Sequence, residues 1–316
     1  MNAAMNPAVT RVAVPAVVWL GLAAAPVFLA PYATTTLTRM LVFGLLAASL
    51  ALLVGITGLP SLGHAAYFGT GAYAAGWFAK NVSAQAPLSL VVAALAGGAA
   101  AAVTGWVAIR ASGVFFLVLT LAIGEIVLQL AETWEPVTGG SNGLYGIPAV
   151  TIGGAPVSNA GYLYWFVLAV FAVGFAALWL VARSPYGTAL RGIRDNEERM
   201  RALGYPTALY KYLVFVVAGT VAGLAGGMLA TQQRLVTPAD LGFTTAALAL
   251  LAVIIGGAGS LWGACVGAAL VIIVRDSLGP TLDGHGPLVL GLVFVLVVYL
   301  MPRGVAGVRL RRGGAP

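Results

Sequence analysis

Ser61 and His64 stand three residues apart, near enough to share one face of a helix, and Ser260 lies upstream of His285. A serine within hydrogen-bond reach of a histidine is the arrangement of an activated nucleophile, which in so apolar a chain would mean an intramembrane protease. Neither serine sits in a Gly-x-Ser-x-Gly elbow, and Ser61 is better explained as a backbone cap at a helix start. Glu125 is the only charged residue between Arg110 and Glu132. An ionisable group inside a membrane span marks a functional position by default. Only Asp240, Arg275 and Asp276 join it as candidates for a buried proton relay, a thin set for a proton-coupled carrier. The run Thr138-Gly139-Gly140-Ser141-Asn142-Gly143 could offer several backbone N–H groups to a carboxylate, or form an external docking turn.

The densest chemistry lies between Arg183 and Lys211, where Arg191, Arg194, Arg199 and Arg201 face Asp195, Glu197 and Glu198. Asp195 as N-cap with Glu198 three residues later makes a capping-box pattern. Gly204 supplies a stop, and Pro206 prevents continuation. The spacing predicts a short helix over 196–203, in a segment longer than a simple turn needs. Such an element suits docking to a soluble partner. The chain has no Gly-x-x-x-x-Gly-Lys-Ser/Thr phosphate loop, so any ATP chemistry must come from elsewhere. Its single cysteine, Cys265, lies in an apolar run and forms neither an intrachain disulfide nor a cysteine metal site. Cofactor and metal motifs are absent, and none is expected to be bound.

Composition dictates what must position these residues. Hydrophobic residues make up 60% of the 316, with 42 Gly besides, and only 8% are charged, about a third of the soluble share. So few charges cannot cover a water-facing surface, so the chain is an integral membrane protein. It is uncharged from Arg39 to Lys80, from Glu135 to Arg183 and from Asp240 to Arg275, and each run is long enough for one or two crossings of about 20 residues. Period-2 alternation of a membrane barrel is absent. The fold class is therefore all-α and polytopic. The net charge of +7 is gathered beside spans, in 183–211 and 302–316, as expected for cytoplasmic loops and not for a nucleic-acid surface. Residues 1–31 resemble a signal peptide superficially but read better as a first span.

With both basic clusters inside, spans are expected at about 12–31, 40–57, 62–79, 87–109, 113–131, 161–182, 212–231, 244–257, 261–276 and 287–301. That gives ten crossings, both termini cytoplasmic, an external segment at 132–160, and a single transmembrane domain over 1–316. Within it, 183–211 is a cytoplasmic loop and 302–316 a basic cytoplasmic tail. Gly58-Leu59-Pro60-Ser61-Leu62-Gly63 and Gly256-Gly257-Ala258-Gly259-Ser260-Leu261 each interrupt an apolar run. Irregular backbone at membrane depth is tolerated only inside protein or beside a wet cavity. The two breaks align at an offset of 199, which hints at an internal repeat. Small residues recur every fourth position in Gly219-Gly223-Gly227 and Gly259-Gly263-Gly267, as in closely packed membrane helices.

Several of these segments resemble a known family. Arg183-Ser184-Pro185-Tyr186-Gly187, Ala189-Leu190-Arg191, Arg194-Asp195-Asn196-Glu197 and Ala202-Leu203-Gly204 are similar to the cytoplasmic signature of bacterial branched-chain amino acid ABC permeases, the LivM type in particular. Ser61-Leu62-Gly63-His64-Ala65-Ala66-Tyr67-Phe68-Gly69, Leu119-Thr120-Leu121-Ala122, Gly124-Glu125-Ile126, Thr138 to Leu144, Gly259-Ser260-Leu261-Trp262-Gly263 and Leu300-Met301-Pro302-Arg303-Gly304 extend the resemblance over about 40–310. One departure is that Arg199 and Met200 stand where small residues are usual.

The resemblance implies a subunit of the bacterial inner (plasma) membrane that is not itself an enzyme. It would pair as a heterodimer with a second, related permease and work with two cytoplasmic ABC ATPases and an extracytoplasmic solute-binding protein. The substrate would be leucine, isoleucine and valine, or else urea, amides or small organic acids. It places ATPase coupling at Arg191, Arg194, Asp195, Glu197, Glu198, Leu203 and Gly204. The resemblance retains Glu125 without assigning it a role. By their positions in the spans and in the external segment, Ser61, His64, Thr120, Glu125 and Ser260 are candidates for the translocation path, and Thr138 and Asn142 for binding-protein contact.

Overall fold

The structure is a computed structural model that describes residues 19–152, 155–157 and 159–278, with scattered helical positions from 288 onward. In chain order the helices are α1 (Trp19–Phe28), α2 (Pro31–Ala51), α3 (His64–Asn81), α4 (Ala86–Ala108), α5 (Gly113–Thr133), the single turn α6 (Glu135–Thr138), α7 (Ala160–Arg183), α8 (Pro185–Asp195), α9 (Glu197–Ala202), α10 (Thr207–Gln233), α11 (Phe243–Gly256) and α12 (Leu261–Ile273). Two-residue strands β1 (Leu144–Tyr145), β2 (Thr151–Ile152), β3 (Ala155–Pro156) and β4 (Leu235–Val236) form two small ribbons beside an otherwise helical chain.

Six helical segments among the described residues are long and apolar enough to cross a membrane: 31–57, 86–108, 113–133, 160–183, 207–233 and 238–256. The second span thus begins at Pro31, not near 40, because Pro31 opens the helix at its first turn, where a missing N–H costs nothing. The other four expected spans fall outside that set. α1 is described only from Trp19, α3 carries His64, Lys80 and Asn81, and α12 has 13 residues before a π turn (Val274–Leu278). The span at 287–301 and the tail at 302–316 lie largely outside the described residues. Within 183–211, α7 runs to Arg183 and α10 starts at Thr207, so residues 184–206 connect the two long helices.

α2 is the central post, with Leu45, Leu46 and Leu50, and Leu52 and Leu53 just beyond its end, fully buried. In lipid, helices gain little by hiding apolar surface from one another, so close backbone approach must supply the cohesion. The four-residue glycine spacing does this on α10. Gly219 faces Ala101, Gly223 faces Ala93 and Gly97, and Gly227 faces Ala93 and Leu90. A methyl group at Gly223 would sit 2.5 Å from Ala93 O, so α4 and α10 could not meet without this residue. On α12, Gly267 meets Ala252 of α11 similarly, whereas Gly259 precedes the helix and faces open space.

Long-range contacts sort the helix ends into two groups. At one end, β1 pairs antiparallel with β4 (Leu144 with Val236), Thr151 N donates to Ala84 O at 2.8 Å, and Lys80 Nζ donates to Tyr145 O at 3.1 Å. At the other, Gly55 lies against Ala258 and Arg194 reaches Gly55. Both interrupted runs belong to this second end. α2 passes into a π turn (Leu52–Thr57) and stops at Gly58 (φ +75°), and α11 stops at Gly257 (φ +98°). The offset of 199 therefore aligns two glycines that each end a helix at positive φ, with ψ 25° at Gly58 and 107° at Gly257.

Candidate functional site

The segment between α7 and α10 folds into two helices where the sequence predicts one. Ser184 caps α8 by accepting from Gly187 N at 3.2 Å, and Pro185 occupies the first helical position. Gly187, Ala189, Leu190 and Ile193 form the buried face of α8. Arg191 donates from Nη1 to Ala182 O at 2.9 Å, satisfying a carbonyl at the end of α7. Asp195 is the last residue of α8 and does not cap α9. The cap is Asn196, whose Oδ1 accepts from Arg199 N at 2.8 Å. With the register moved by one, Arg199 takes the third position, so Glu198 completes no capping box. It is exposed.

The stop falls where the sequence places it. Gly204 has φ +89°, its N–H bonds Arg201 O at 3.0 Å, and Tyr205 N bonds Met200 O at 3.1 Å. This pair of bonds is a Schellman closure, which needs a left-handed residue. Met200 packs its sulfur over Gly192 of α8, so the larger residue at this departure from the family pattern serves as internal packing. Glu197 bonds Lys211 at 2.9 Å and Arg201 at 3.0 Å, and Thr207 donates to it at 3.2 Å. Partial burial raises its carboxyl, but Lys211, Thr207 and Arg201 more than offset this and hold it below the ordinary glutamate value. Leu203 and Tyr205 remain exposed, and a cleft of about 730 Å³ lies between the two helices.

Arg194 connects this segment to the membrane helices. Its Nη1 donates to Gly55 O in the π turn of α2, and its side chain lies on Gly58, where a methyl group would be 2.7 Å from Arg194 Cγ. Asp195 fixes the other side of the guanidinium at 2.9 Å. Gly55 lies in the last turn at the end of α2, where Leu59 N is spent on Leu53 O and Pro60 has no N–H, so the guanidinium supplies a donor to its carbonyl.

Ser61, His64 and Thr120 come together beneath this break and are all fully buried. Thr120 Oγ1 accepts from Leu62 N at 3.2 Å, and His64 Nε2 lies 2.8 Å from Ser49 Oγ. Ser61 is not a cap: α3 starts at His64 after Gly63, and Ser61 Oγ has no hydrogen-bond partner among the described residues. Ser260, its counterpart at the second break, does cap its helix, accepting from Gly263 N at 3.1 Å. Ser49, the partner of His64, carries no signal in the sequence. Fifteen residues and a helix reversal separate the two, and no local signal joins them.

Glu125 lies elsewhere, exposed on α5 and without a hydrogen-bond partner among the described residues. The other relay candidates are engaged. Asp276 bonds Arg39 at 2.6 Å and Arg275 at 3.1 Å, and Asp240 closes a capping box with Thr237. The turn at 138–143 does not have the open backbone N–H groups that an anion cradle would need. Gly139 N is held by Glu135 O, Gly140 N by Thr138 Oγ1 and Gly143 N by Gly140 O, so these N–H groups are spent internally. Thr138 is buried and bonds Ala131 O at 2.6 Å, which leaves Asn142 as the exposed member of the pair.

A bundle of apolar helices, interrupted beside a charged two-helix loop, is the architecture of a multi-pass membrane protein. The chain belongs to the family described as the permease component of the branched-chain amino acid transport system, whose pattern it matches over residues 32–310, and it is of the LivM type. The high-affinity branched-chain amino acid transport system permease protein LivM of Salmonella typhimurium is 27% identical over 291 residues, covering 85% of this chain and 68% of that one. A probable branched-chain amino acid transport permease protein, LivH, of Methanocaldococcus jannaschii is 25% identical over 84% of this chain and 88% of its own length. The L-arabinose ABC transporter permease protein AraH of Azospirillum brasilense is 29% identical over 60% of this chain and 56% of its own. No solved structure matches the chain.

Proposed function

We propose that this permease imports branched-chain amino acids across the inner membrane, pairing with a second, related permease to enclose the path. In this reading two cytoplasmic ATPases dock on residues 184–206 and a solute-binding protein delivers substrate from outside. The chain crosses ten times with both termini cytoplasmic, and the end marked by β1 and β4 faces outward. The observation that carries the reading is the Arg194 bond to Gly55, since it ties an exposed loop directly to an interrupted helix. A push on α8 or α9 would then move the end of α2 and the buried Ser61, His64 and Thr120 cluster behind it. Arg191 and Glu197 brace the loop, while Glu198, Leu203 and Tyr205 offer the face for the ATPase. Ser260 holds the second break, Glu125 faces the path on α5, and Asn142 meets the binding protein.

The test is uptake of labelled leucine, urea and a short-chain amide, compared between a gene deletion and its complemented strain, with the ATPase phosphate loop intact or disabled. Loss of leucine uptake alone, dependent on that loop, supports the reading. Selective loss of urea or amide uptake would reassign the substrate, and uptake driven by a proton gradient without ATPase would overturn the importer class.

A further inference from the structure

An apolar cavity of about 300 Å³ opens near the β1–β4 end of the bundle, between α3, α4 and α5. Tyr73, Trp77 and Phe78 form one wall, Val92 another, and Leu130 and Trp134 a third. At about 100° per residue, Glu125 and Gln129 point to one side of α5, while Ile126 and Leu130 each point about 100° further round than the polar residue just before them. Ile126 is 68% and Leu130 54% exposed. Over residues 125–130, α5 therefore presents a short polar exposed strip beside an apolar exposed one, and the cavity opens on the apolar side. Exposed Leu88, Val91 and Leu95 continue that surface on α4.

The mouth is graded in chemistry. Trp77 and Trp134 are both partly exposed at its rim, the placement such rings take at a membrane–water boundary. One helical turn beyond Trp77 stands Lys80, exposed and with no carboxylate paired to it among the described residues. The Tyr145 carbonyl and ring hold the Lys80 ammonium in place, at 3.1 Å and 5.3 Å. One of its three donors is used, and two remain. At the wall, the buried Tyr73 hydroxyl has no partner among the described residues.

We propose that this cavity is a binding site for one membrane phospholipid, with an acyl chain in the cavity and the phosphate on Lys80. The order of apolar chamber, indole rim and cation along the helices matches the order of tail, ester and phosphate in such a lipid. An ester carbonyl entering beside Tyr73 would accept its proton. A helix of another protein would match the apolar chamber but would leave Lys80 and Tyr73 unanswered. The site is separate from the Glu125 face and from the coupling loop, and it rests only on the chain spanning a membrane.

The test uses the intact transporter in vesicles of phosphatidylethanolamine and phosphatidylglycerol, doped with phosphatidylethanolamine bearing a photoactivatable acyl chain. Peptide mapping should place crosslinks on Trp77, Phe78, Leu130 and Trp134. Ala74→Phe from one wall and Val92→Phe from another fill the space, and each should lower that labelling roughly tenfold, as loss of a few buried methylenes would. Labelling at Phe115, far along α5, should stay unchanged and reports that the fold survives. Lipid retained after detergent extraction should fall in Lys80→Gln and persist in Lys80→Arg. Labelling unaffected by both filling variants, or crosslinks from these residues to a second permease chain instead of lipid, would overturn the site. Equal retention in Lys80→Gln and the unsubstituted protein would overturn the phosphate contact.

Discussion

Arg194, one residue from the end of α8, donates through Nη1 to the carbonyl of Gly55 in the π turn that ends α2. The residues are 139 apart in sequence, and the bond is the polar bridge from the exposed loop to the interrupted end of α2. Arg194→Ala leaves a buried carbonyl without its donor, a loss of about 1.5–3 kcal/mol for a charged hydrogen bond. Membrane insertion should survive, because the substitution lies outside the apolar spans. Under the proposed role, substrate-stimulated ATP hydrolysis and uptake in proteoliposomes should both fall. Arg194→Lys should recover little, since a point ammonium cannot hold Gly55 O and the Asp195 carboxylate in one plane. Normal coupling in Arg194→Ala would remove the observation that carries the proposed function.

The two ends of α9 make separate demands. A methyl group at Gly204 would meet nothing within 4 Å, so the cost of Gly204→Val is purely one of backbone, about 1–3 kcal/mol at φ +89°. Gly204→Asn should be tolerated, because asparagine visits this region readily. Asn196→Ala removes the true cap and should cost about 0.5–2 kcal/mol, whereas Asp195→Ala should leave α9 intact and only loosen Arg194. Far-ultraviolet change is too small to detect in so helical a protein, so the measurement is protection of residues 197–204 from proteolysis. Equal cleavage in Gly204→Val and Gly204→Asn would show that the left-handed closure does not matter.

Much of this loop is legible in the sequence, and the rest fails for a definite reason. Gly204 and Pro206 mark the end of α9 unambiguously, because few residues suit a left-handed stop. Its start is ambiguous. Asp195 and Asn196 are adjacent and equally good caps, and the choice between them depends on where α8 ends. α8 is itself announced by Ser184-Pro185, a cap followed by proline, but the charge-rich run draws the eye downstream. The glycine spacing on α10 and both chain breaks are readable because each reflects a local backbone need. The Arg194–Gly55, His64–Ser49 and Arg39–Asp276 contacts are not readable, since they depend on which helices become neighbours.

Glu197 should make the loop sensitive to acid. Its carboxyl is held below the ordinary value of 4.5 in the folded chain, so folding favours the ionised form. The contribution is complete above that value and is lost as pH falls through the lower folded-state value. Hydrogen exchange of residues 197–207, corrected for intrinsic rate, should rise on acidification through that window. Glu197→Gln should exchange faster at neutral pH and show a flatter profile. A pH profile identical in the two proteins would mean that the Lys211 pair does not support the loop.

Glu125 provides the sharpest test of which surface of α5 is wet. It is exposed in the chain alone, as are Ile126 and Leu130, so exposure does not distinguish them. Chemistry does, because an unpaired carboxylate cannot face hydrocarbon without a large cost, and Gln129 continues the polar line one turn on. In the assembled transporter, Glu125 should face water at the path, whereas Ile126 and Leu130 face lipid. With Cys265 replaced by serine, cysteines at 125, 126 and 130 should react differently with a charged, membrane-impermeant thiol reagent, which needs water and a thiolate. Position 125 should be modified and protected by bound substrate, and positions 126 and 130 should stay inert in bilayers yet react once the protein is denatured. Glu125→Gln should keep the complex assembled while lowering uptake. Equal reactivity at all three positions would mean that α5 has no wet face, and would remove Glu125 from the proposed path.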